Sequence, residues 1–476
     1  MKRLNDANIK RLTSYIKRNG VKASAYKVLE RLQRDDTEKT YSQDVFDLIA
    51  DKEQHEEEAN TEFTHRYKIS VIVPAYETGK KRISEMISSV LGQSYDNFEL
   101  CIADASESDE VEETVKSFAN SKIKYLRLSE NNGISENTNE ALKMASGEYV
   151  CFLDHDDILT GNALFEVMKV LEQGLKSEGG FLTNTVKLIY SDEDKCNDDC
   201  SEFFDHHIKP NFDIDLLRTN NYICHLLTVR RELALEAGGF DKEFDGAQDH
   251  DFIFRCVEKL SRNEIVHIPK VLYHWRSHVS STATNPDSKL YAYDAGKRAV
   301  SAHLSRLGIE ATVSDTEHLG FYRVKYKVSA KELTEIKIMS LDELKSMTEE
   351  DLSDDDFSYI MVLNDNVRPQ NAEFLEEMLG ILKRDDVGCV GGLVTSKGNI
   401  ESAGYSLGEN GELKPDFNGL NKHFSGYLHR AKVVREVAGV CTDCMMVKKS
   451  SINPGGTLKP DGLVVYCPYS VFKRVR

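Results

Sequence analysis

Between Lys68 and Leu153 the chain alternates short apolar runs with amphipathic stretches, and this alternation restricts the fold more than any other feature. The runs "KISVIVPAY", "FELCIAD", "IKYLRLS" and "YVCFL" read as strands. Between them, "KKRISEMISSVLGQS", "DEVEETVKSFAN" and "SENTNEALKMASG" carry apolar residues at helical spacing, the last closed by Gly147. Strands separated by helices of this length pair in parallel, which implies a three-layer α/β sandwich. Ligands of such sheets bind beyond the carboxyl ends of the strands. That rule gathers Pro74 to Glu77, Asp104 and Asp154 to Asp157 along one edge.

At that edge "YVCFLDHDD" sets Asp154, Asp156 and Asp157 directly after a buried strand. Like charges repel, so such a cluster calls for a cation or several donors. The chain has neither GxGxxG nor GxxxxGK after its first strand, so backbone amides alone are a poor counterpart for a nucleotide diphosphate. A divalent metal, Mg²⁺ or Mn²⁺, held by carboxylates would supply the missing charge. Asp154 could then reach a ribose hydroxyl while Asp156 or Asp157 takes the metal. In the plainer reading one Asp caps the helix beginning near Gly161 and the others are solvated.

A second acidic group stands in "FDGAQDHDFIFRC". Asp251 and Arg255 are four apart, the spacing of an ion pair within one helix. Asp249, at the helix start, is freer to face the cleft as a general base towards an acceptor hydroxyl. His274 in "LYHWRSH" either packs as a hydrogen-bonded residue or completes an octahedral metal sphere. Trp275, the only tryptophan, stacks on a sugar or fills the core. The polar "SHVSSTATNP" beyond it reads as a flap.

At 476 residues two or three domains are expected. With 40% hydrophobic and 29% charged residues, no apolar run of about 20 residues and no signal-peptide core, a cytoplasmic protein is expected. The net charge of -18 argues against nucleic acid as the main partner. Residues 1–34 carry ten Lys/Arg against two Asp/Glu, and 35–62 carry two against eleven. The first stretch reads as a basic helical hairpin broken at Asn19-Gly20, an accessory element or a contact to the inner face of an anionic membrane. The second reads as a linker. Of ten cysteines, Cys101, Cys151 and Cys224 sit in apolar segments as packed, reduced thiols, and Cys441 and Cys444 form a lone CxxC without the second pair of a zinc site.

The chain also partly repeats itself. "YVCFLDHDDILTGNALFEVM" from 149 aligns with "YIMVLNDNVRPQNAEFLEEM" from 359, an offset of 210 residues. "VRRELALEAGGF" likewise resembles "VKKSSINPGGT", and "VHIPKVLYHWR" resembles "VVYCPYSVFKR". Only Ser329 to Ser358 precede the second copy's matching strand, so that copy is truncated. The expected division is 1–66, a helical segment and linker; 67–310, the complete copy; and 311–476, the incomplete one.

Taken together, "ISVIVPAYE", Asp104, "NNGISENTNEAL", the DxD of Asp154 to Asp156, "AGGFD" and "QDHD" resemble the family 2 glycosyltransferases, which have the GT-A fold. The resemblance covers roughly 67–310. It implies that Pro74, Ala75, Tyr76, Glu77 and Asp104 line the base and ribose site, and that Asn139, Asp154, His155 and Trp275 belong to the nucleotide-sugar site. It further implies that Asp156, Asp157 and His274 serve the metal and that Asp249 is the catalytic base. "ADAS" departs from the family's "DDGS", and Gln248 from the Glu of its "ED" motif. The implied reaction is a single displacement with inversion, from a UDP- or dTDP-linked donor to a glycan or lipid-linked glycan; homo-oligomerisation is left open. "LIYSDEDK" and "HHIKPNFDIDLLRTNNYICHLLTVRR" are similar to a branch that builds bacterial surface polysaccharides, rhamnose-containing ones included. Asp192, Glu193 and Asp194 would then face the acceptor or form a solvated acidic loop. In the second copy Asn364-Asp365-Asn366 replaces the acidic cluster, no "QDHD" survives and Lys473 stands where His274 would be, so a catalytically silent domain is expected. The rival classes are a sugar nucleotidyltransferase, which "PAYETGKK" fits poorly, and a non-catalytic carbohydrate-binding scaffold.

Overall fold

The computed structural model describes residues 6–33, 41–42, 57–58, 60–178, 181–277, 290–353, 356–459 and 462–475. Most of the acidic run and the expected flap beyond Ser277 therefore lie outside the described residues. The chain forms two compact units, one of residues 35–212 and 221–303, the other of 1–34, 213–220 and 304–476.

In the first unit, β1 (Ile69–Ala75), β2 (Phe98–Asp104), β3 (Ile123–Arg127) and β4 (Tyr149–Phe152) are the four runs read from the sequence. They lie side by side in parallel in the order β4-β1-β2-β3. Ile69, Val71, Ile72 and Val73 are wholly buried, and each contributes about 1.5–3 kcal/mol of hydrophobic stabilisation. The intervening helices are α2 (Lys80–Leu91), α3 (Glu110–Phe118) and α4 (Ile134–Lys143), numbered after the N-terminal helix α1 (Asp6–Gln33). On α2 the buried residues Ile83, Met86, Ile87 and Val90 recur at the spacing of one helical face. Because the strands are parallel, Ala75, Asp104 and Phe152 end on one edge of the sheet.

The parallel pairing read from the sequence holds for β1–β4, and the sheet turns mixed beyond them. Beyond β4 comes β8 (Leu227–Arg230), antiparallel to β4 and to β6 (Leu188–Cys196). β5 (Ile158–Leu159) is antiparallel to the long β9 (Ile265–Arg276), which runs parallel to β6; β7 (Glu202–His207) is antiparallel to β6. No helix crossover joins β6 to β7, so the local alternation that identified β1–β4 gives no warning of this half. Helices α5 (Ala163–Gln173), α6 (Ile214–Thr219) and α7 (Gln248–Val257) follow in chain order, α6 belonging to the second unit.

The second unit contains α1, whose helix is broken at Gly20 (φ 79°, ψ 168°), as Asn19-Gly20 predicted. Its sheet includes β10 (Ile336–Met339), β11 (Tyr359–Leu363), β12 (Val367–Pro369), β13 (Val387–Ser396), β14 (Arg435–Glu436), β15 (Cys444–Lys448) and β16 (Leu463–Arg474). The order β10-β11-β15-β13-β16-β12 reproduces β1-β4-β8-β6-β9-β5, with the same sequence of parallel and antiparallel pairings. Among the described residues it has no counterpart of β2 and β3. The repeat read from the sequence is thus a repeat of topology.

Candidate active site

Asp154 and Asp156 emerge from the end of β4, half-buried, while Asp157 is 1% exposed. Asp157 Oδ1 accepts from Arg276 N–H at 2.7 Å and Oδ2 accepts from Tyr273 O–H at 2.5 Å. Both donors come from β9, which the pairing of Ile158 with His274 brings against this turn. Burial, then the Asp156 and Asp154 charges, push the Asp157 carboxyl well above its ordinary value. Burial also raises that of Asp154, His225 opposes this, and the Asp156 and Asp249 carboxylates add to the rise. The Asp249 carboxylate is thus near enough to Asp154 for their charges to repel.

The segment after α6 links them. Asn221 Nδ2 donates to Asp249 Oδ2 at 2.8 Å, and the Cys224 thiol lies 3.4 Å from the same oxygen. His225 Nε2 stands 3.9 Å from Asp154 Oδ2. Its ring stacks on Tyr273 at 4.4 Å, with Trp275 edge-on at 6.0 Å. Asp251 instead forms the predicted ion pair with Arg255, at 2.7 Å.

Residues 192–194 are neither exposed nor a loop, which corrects the solvated alternative. They lie on β6, 3%, 7% and 3% exposed, and each has a basic partner. Asp192 Oδ1 meets His267 Nε2 at 2.8 Å. Glu193 meets His207 Nδ1 at 3.1 Å and Lys209 Nζ at 3.2 Å. Asp194 Oδ1 meets His274 Nδ1 at 2.6 Å. Burial opposes ionisation of Glu193, but Lys209 and His207 outweigh it and hold the carboxyl far below its usual range. Lys209 Nζ also donates to the carbonyls of Ile223 and His225, and Glu193 accepts from His225 N–H at 3.2 Å. The pair therefore holds the backbone that carries Asn221 and His225. The sequence reading assigned no role to Asn221, His225 or Lys209. All three lie in the quoted "HHIKPNFDIDLLRTNNYICH", but their partners are 14 to 71 residues away.

The remaining expected residues are distributed as follows. Pro74 and Ala75 are buried in β1, whereas Tyr76 and Glu77 emerge beyond it. Glu77 ties the ends of β1 and β2 together, Oε1 accepting from Glu107 N–H at 2.6 Å and Oε2 from Ser108 O–H at 3.0 Å. The backbone amides of Ser108 and Glu107 lower its carboxyl from the usual value. Asp104 is wholly buried, with Oδ1 accepting from Ser106 N–H at 2.9 Å and Oδ2 from Tyr125 O–H at 2.7 Å. His155 Nδ1 is 2.6 Å from Thr78 Oγ1. Asn139 spends both ends of its amide on Phe240, donating to the carbonyl and accepting from N–H at 2.8 Å each. Gly239, at φ 69°, makes that clamp possible: a Cβ there would stand 2.4 Å from Asn139 Oδ1.

The donor set fits a hard divalent cation. Asp154 and Asp156 are half-buried carboxylates at a single turn, burial and the neighbouring carboxylates raise Asp154, and Asp194 holds the His274 ring through Nδ1. Asp157 is closed by Tyr273 and Arg276 and fixes the turn that carries the other two.

Residues 70–182 match the model of glycosyl transferase family 2. The chain carries a family 2 glycosyl transferase domain. In this domain the α/β sheet is that of the GT-A fold. Relatives include the uncharacterized protein y4gI of Sinorhizobium fredii, 30% identical over 83% of this chain and 50% of that protein. The O-antigen biosynthesis protein RfbC of Myxococcus xanthus is 31% identical over 67% of this chain and 25% of that protein. The Escherichia coli protein WfgD, named a UDP-Glc:alpha-D-GlcNAc-diphosphoundecaprenol beta-1,3-glucosyltransferase, is 37% identical over 26% of this chain and 47% of that protein. The chain thus spans half or less of the length of these curated relatives.

Proposed function

We propose that the domain is an inverting, metal-dependent glycosyltransferase that moves a sugar from a nucleotide-diphosphate donor to a hydroxyl of a growing surface polysaccharide or lipid-linked glycan. The observation that carries this reading is the link between the two acidic groups: Asn221 holds Asp249, and four residues on His225 faces Asp154. A base and a diphosphate site that face one volume are what a single displacement requires. A divalent cation held by Asp154, Asp156 and His274 would neutralise charge on the departing diphosphate. Asp249, oriented by Asn221, takes the acceptor proton; Tyr76 and Glu77 flank the base and ribose; Trp275 and His225 form an aromatic wall for the sugar. The names of RfbC and WfgD support a glycan or lipid-linked acceptor. No described helix is long and apolar enough to cross a membrane.

The second unit is proposed to be catalytically silent. Its strand register sets Lys473 opposite Arg368 and Thr395, where the first unit sets His274 opposite Ile158 and Asp194. Asp443 takes the place of His225 and accepts from Asn364 at 2.7 Å, and Arg474 meets Asp443 at 2.5 Å. A built-in guanidinium and an amide thus stand where the first unit gathers carboxylates.

Incubation with Mn²⁺ and a panel of nucleotide sugars, with diphosphate release and the product's anomeric configuration followed by NMR, tests the proposal. Release with inversion is expected. A retained configuration excludes the single displacement, and silence across the whole panel in the presence of glycan acceptors favours a carbohydrate-binding scaffold.

A further inference from the structure

Three carboxylates remote in sequence from the DxD turn come together within the second unit. Asp213, Asp215 and Glu436 each bring a carboxylate oxygen within 4.8 Å of the others. Asp213 and Asp215 are 4% and 2% exposed, and Glu436 is half-buried. Asp213 is pinned by backbone: Oδ1 accepts from Leu216 N–H as the cap of α6, and Oδ2 accepts from Glu436 N–H, both at 2.9 Å. A third residue supplies a separate sign of a missing ligand. Asp215 Oδ1 accepts from Arg384, but its Oδ2 is buried with no hydrogen-bond partner. Folded proteins seldom leave such an atom unsatisfied.

The basic groups beside the cluster are shared with other partners. Arg384 divides its guanidinium between Asp215 and Asp386. Arg218, on the same helix as Asp215, donates to the Tyr326 hydroxyl.

We propose that Asp213, Asp215 and Glu436 bind a divalent cation, Ca²⁺ in preference to Mg²⁺, which fastens the 213–220 segment to β14. An all-oxygen set calls for a hard ion. Ca²⁺ accepts irregular sets of oxygens from several protein carboxylates, whereas Mg²⁺ demands near-octahedral geometry and tends to keep its waters. Three protein carboxylates within 4.8 Å of one another, one of them pinned by two backbone amides, therefore suit Ca²⁺ better. The DxD turn belongs to the other unit, so the two cation requirements are separable by mutation.

The test uses the full chain with Asp154→Asn and Asp156→Asn, so that cation binding at the β4 edge is removed. This protein is titrated calorimetrically with Ca²⁺ alone and Mg²⁺ alone, and its melting is followed in parallel. The expectation is a single Ca²⁺ site that raises the melting temperature, with Mg²⁺ weaker by about tenfold or more. Glu436→Gln in the same background should weaken Ca²⁺ binding by about tenfold or more, because one of three charged ligands is lost. Without calcium it should melt no lower than its parent, since a repelling charge has gone. Asp215→Asn should likewise abolish the calcium response. Absence of Ca²⁺ binding, or binding untouched by Glu436→Gln, overturns the proposal. So does a protein indifferent to Ca²⁺ that gains stability on acidification through neutral pH, because a shared proton then replaces the ion.

Discussion

Replacing Glu193 by Gln tests whether the buried acid–base row on β6 holds the catalytic segment. The Lys209 amine is wholly buried, and Glu193 is its only charged partner within 4 Å among the described residues. Gln preserves shape and can still accept a hydrogen bond, so the change isolates charge. Removing one member of a buried pair costs about 3–5 kcal/mol, and the retained hydrogen bond places this case near 3 kcal/mol. For a unit of this size that corresponds to a fall in melting temperature of about 6–12 °C. The pH dependence follows from the lowered carboxyl of Glu193. A depressed folded pKa stabilises above the unfolded value of 4.5 and loses that contribution as pH falls through the folded one. The deficit of Glu193→Gln should therefore be full at pH 6–7, about two units above that value, and shrink below it. Thermal melts at several pH values measure it, and Glu193→Gln with Lys209→Met should recover much of the loss by removing the stranded charge. A drop under about 2 °C at neutral pH, or a double variant no better than the single, would refute the reasoning.

Three further outcomes follow. Gly239→Ala sets a Cβ 2.4 Å from Asn139 Oδ1 at a residue with φ 69°, and should destabilise by about 1–3 kcal/mol in denaturant titration. Asp156→Asn should abolish the rise in melting temperature that Mn²⁺ with a nucleoside diphosphate gives the parent protein, measured by thermal shift. Asp365→Asn, at the second unit's counterpart of the cluster, should leave turnover unchanged in the same diphosphate-release assay; a large loss there would end the silent-copy proposal.

The legible parts of this molecule were those encoded locally. Four buried runs separated by amphipathic helices specified β1 to β4 and the edge where Asp154 and Asp156 emerge, because period and burial are properties of neighbouring residues. The repeat was also readable, down to Lys473 in the register position of His274. What escaped depends on long-range pairing. Asp192, Glu193 and Asp194 read equally as acceptor-facing residues or as a solvated acidic loop, because their partners His267, Lys209 and His274 are 16 to 80 residues away. The antiparallel β8 has no local signature that separates it from a parallel neighbour. Asn139 read as a ligand contact in the motif "ENTNEAL", yet both ends of its amide are engaged on Phe240, 101 residues on.

The most direct measurement compares Asp249→Asn with the parent protein for turnover and donor affinity in the same preparation. If Asp249 removes the acceptor proton, turnover should fall by about 10²–10⁴-fold, while the donor, bound at the β4 edge, should hold its Kd within about threefold. Turnover near the parent value with Asn at this position would contradict the account.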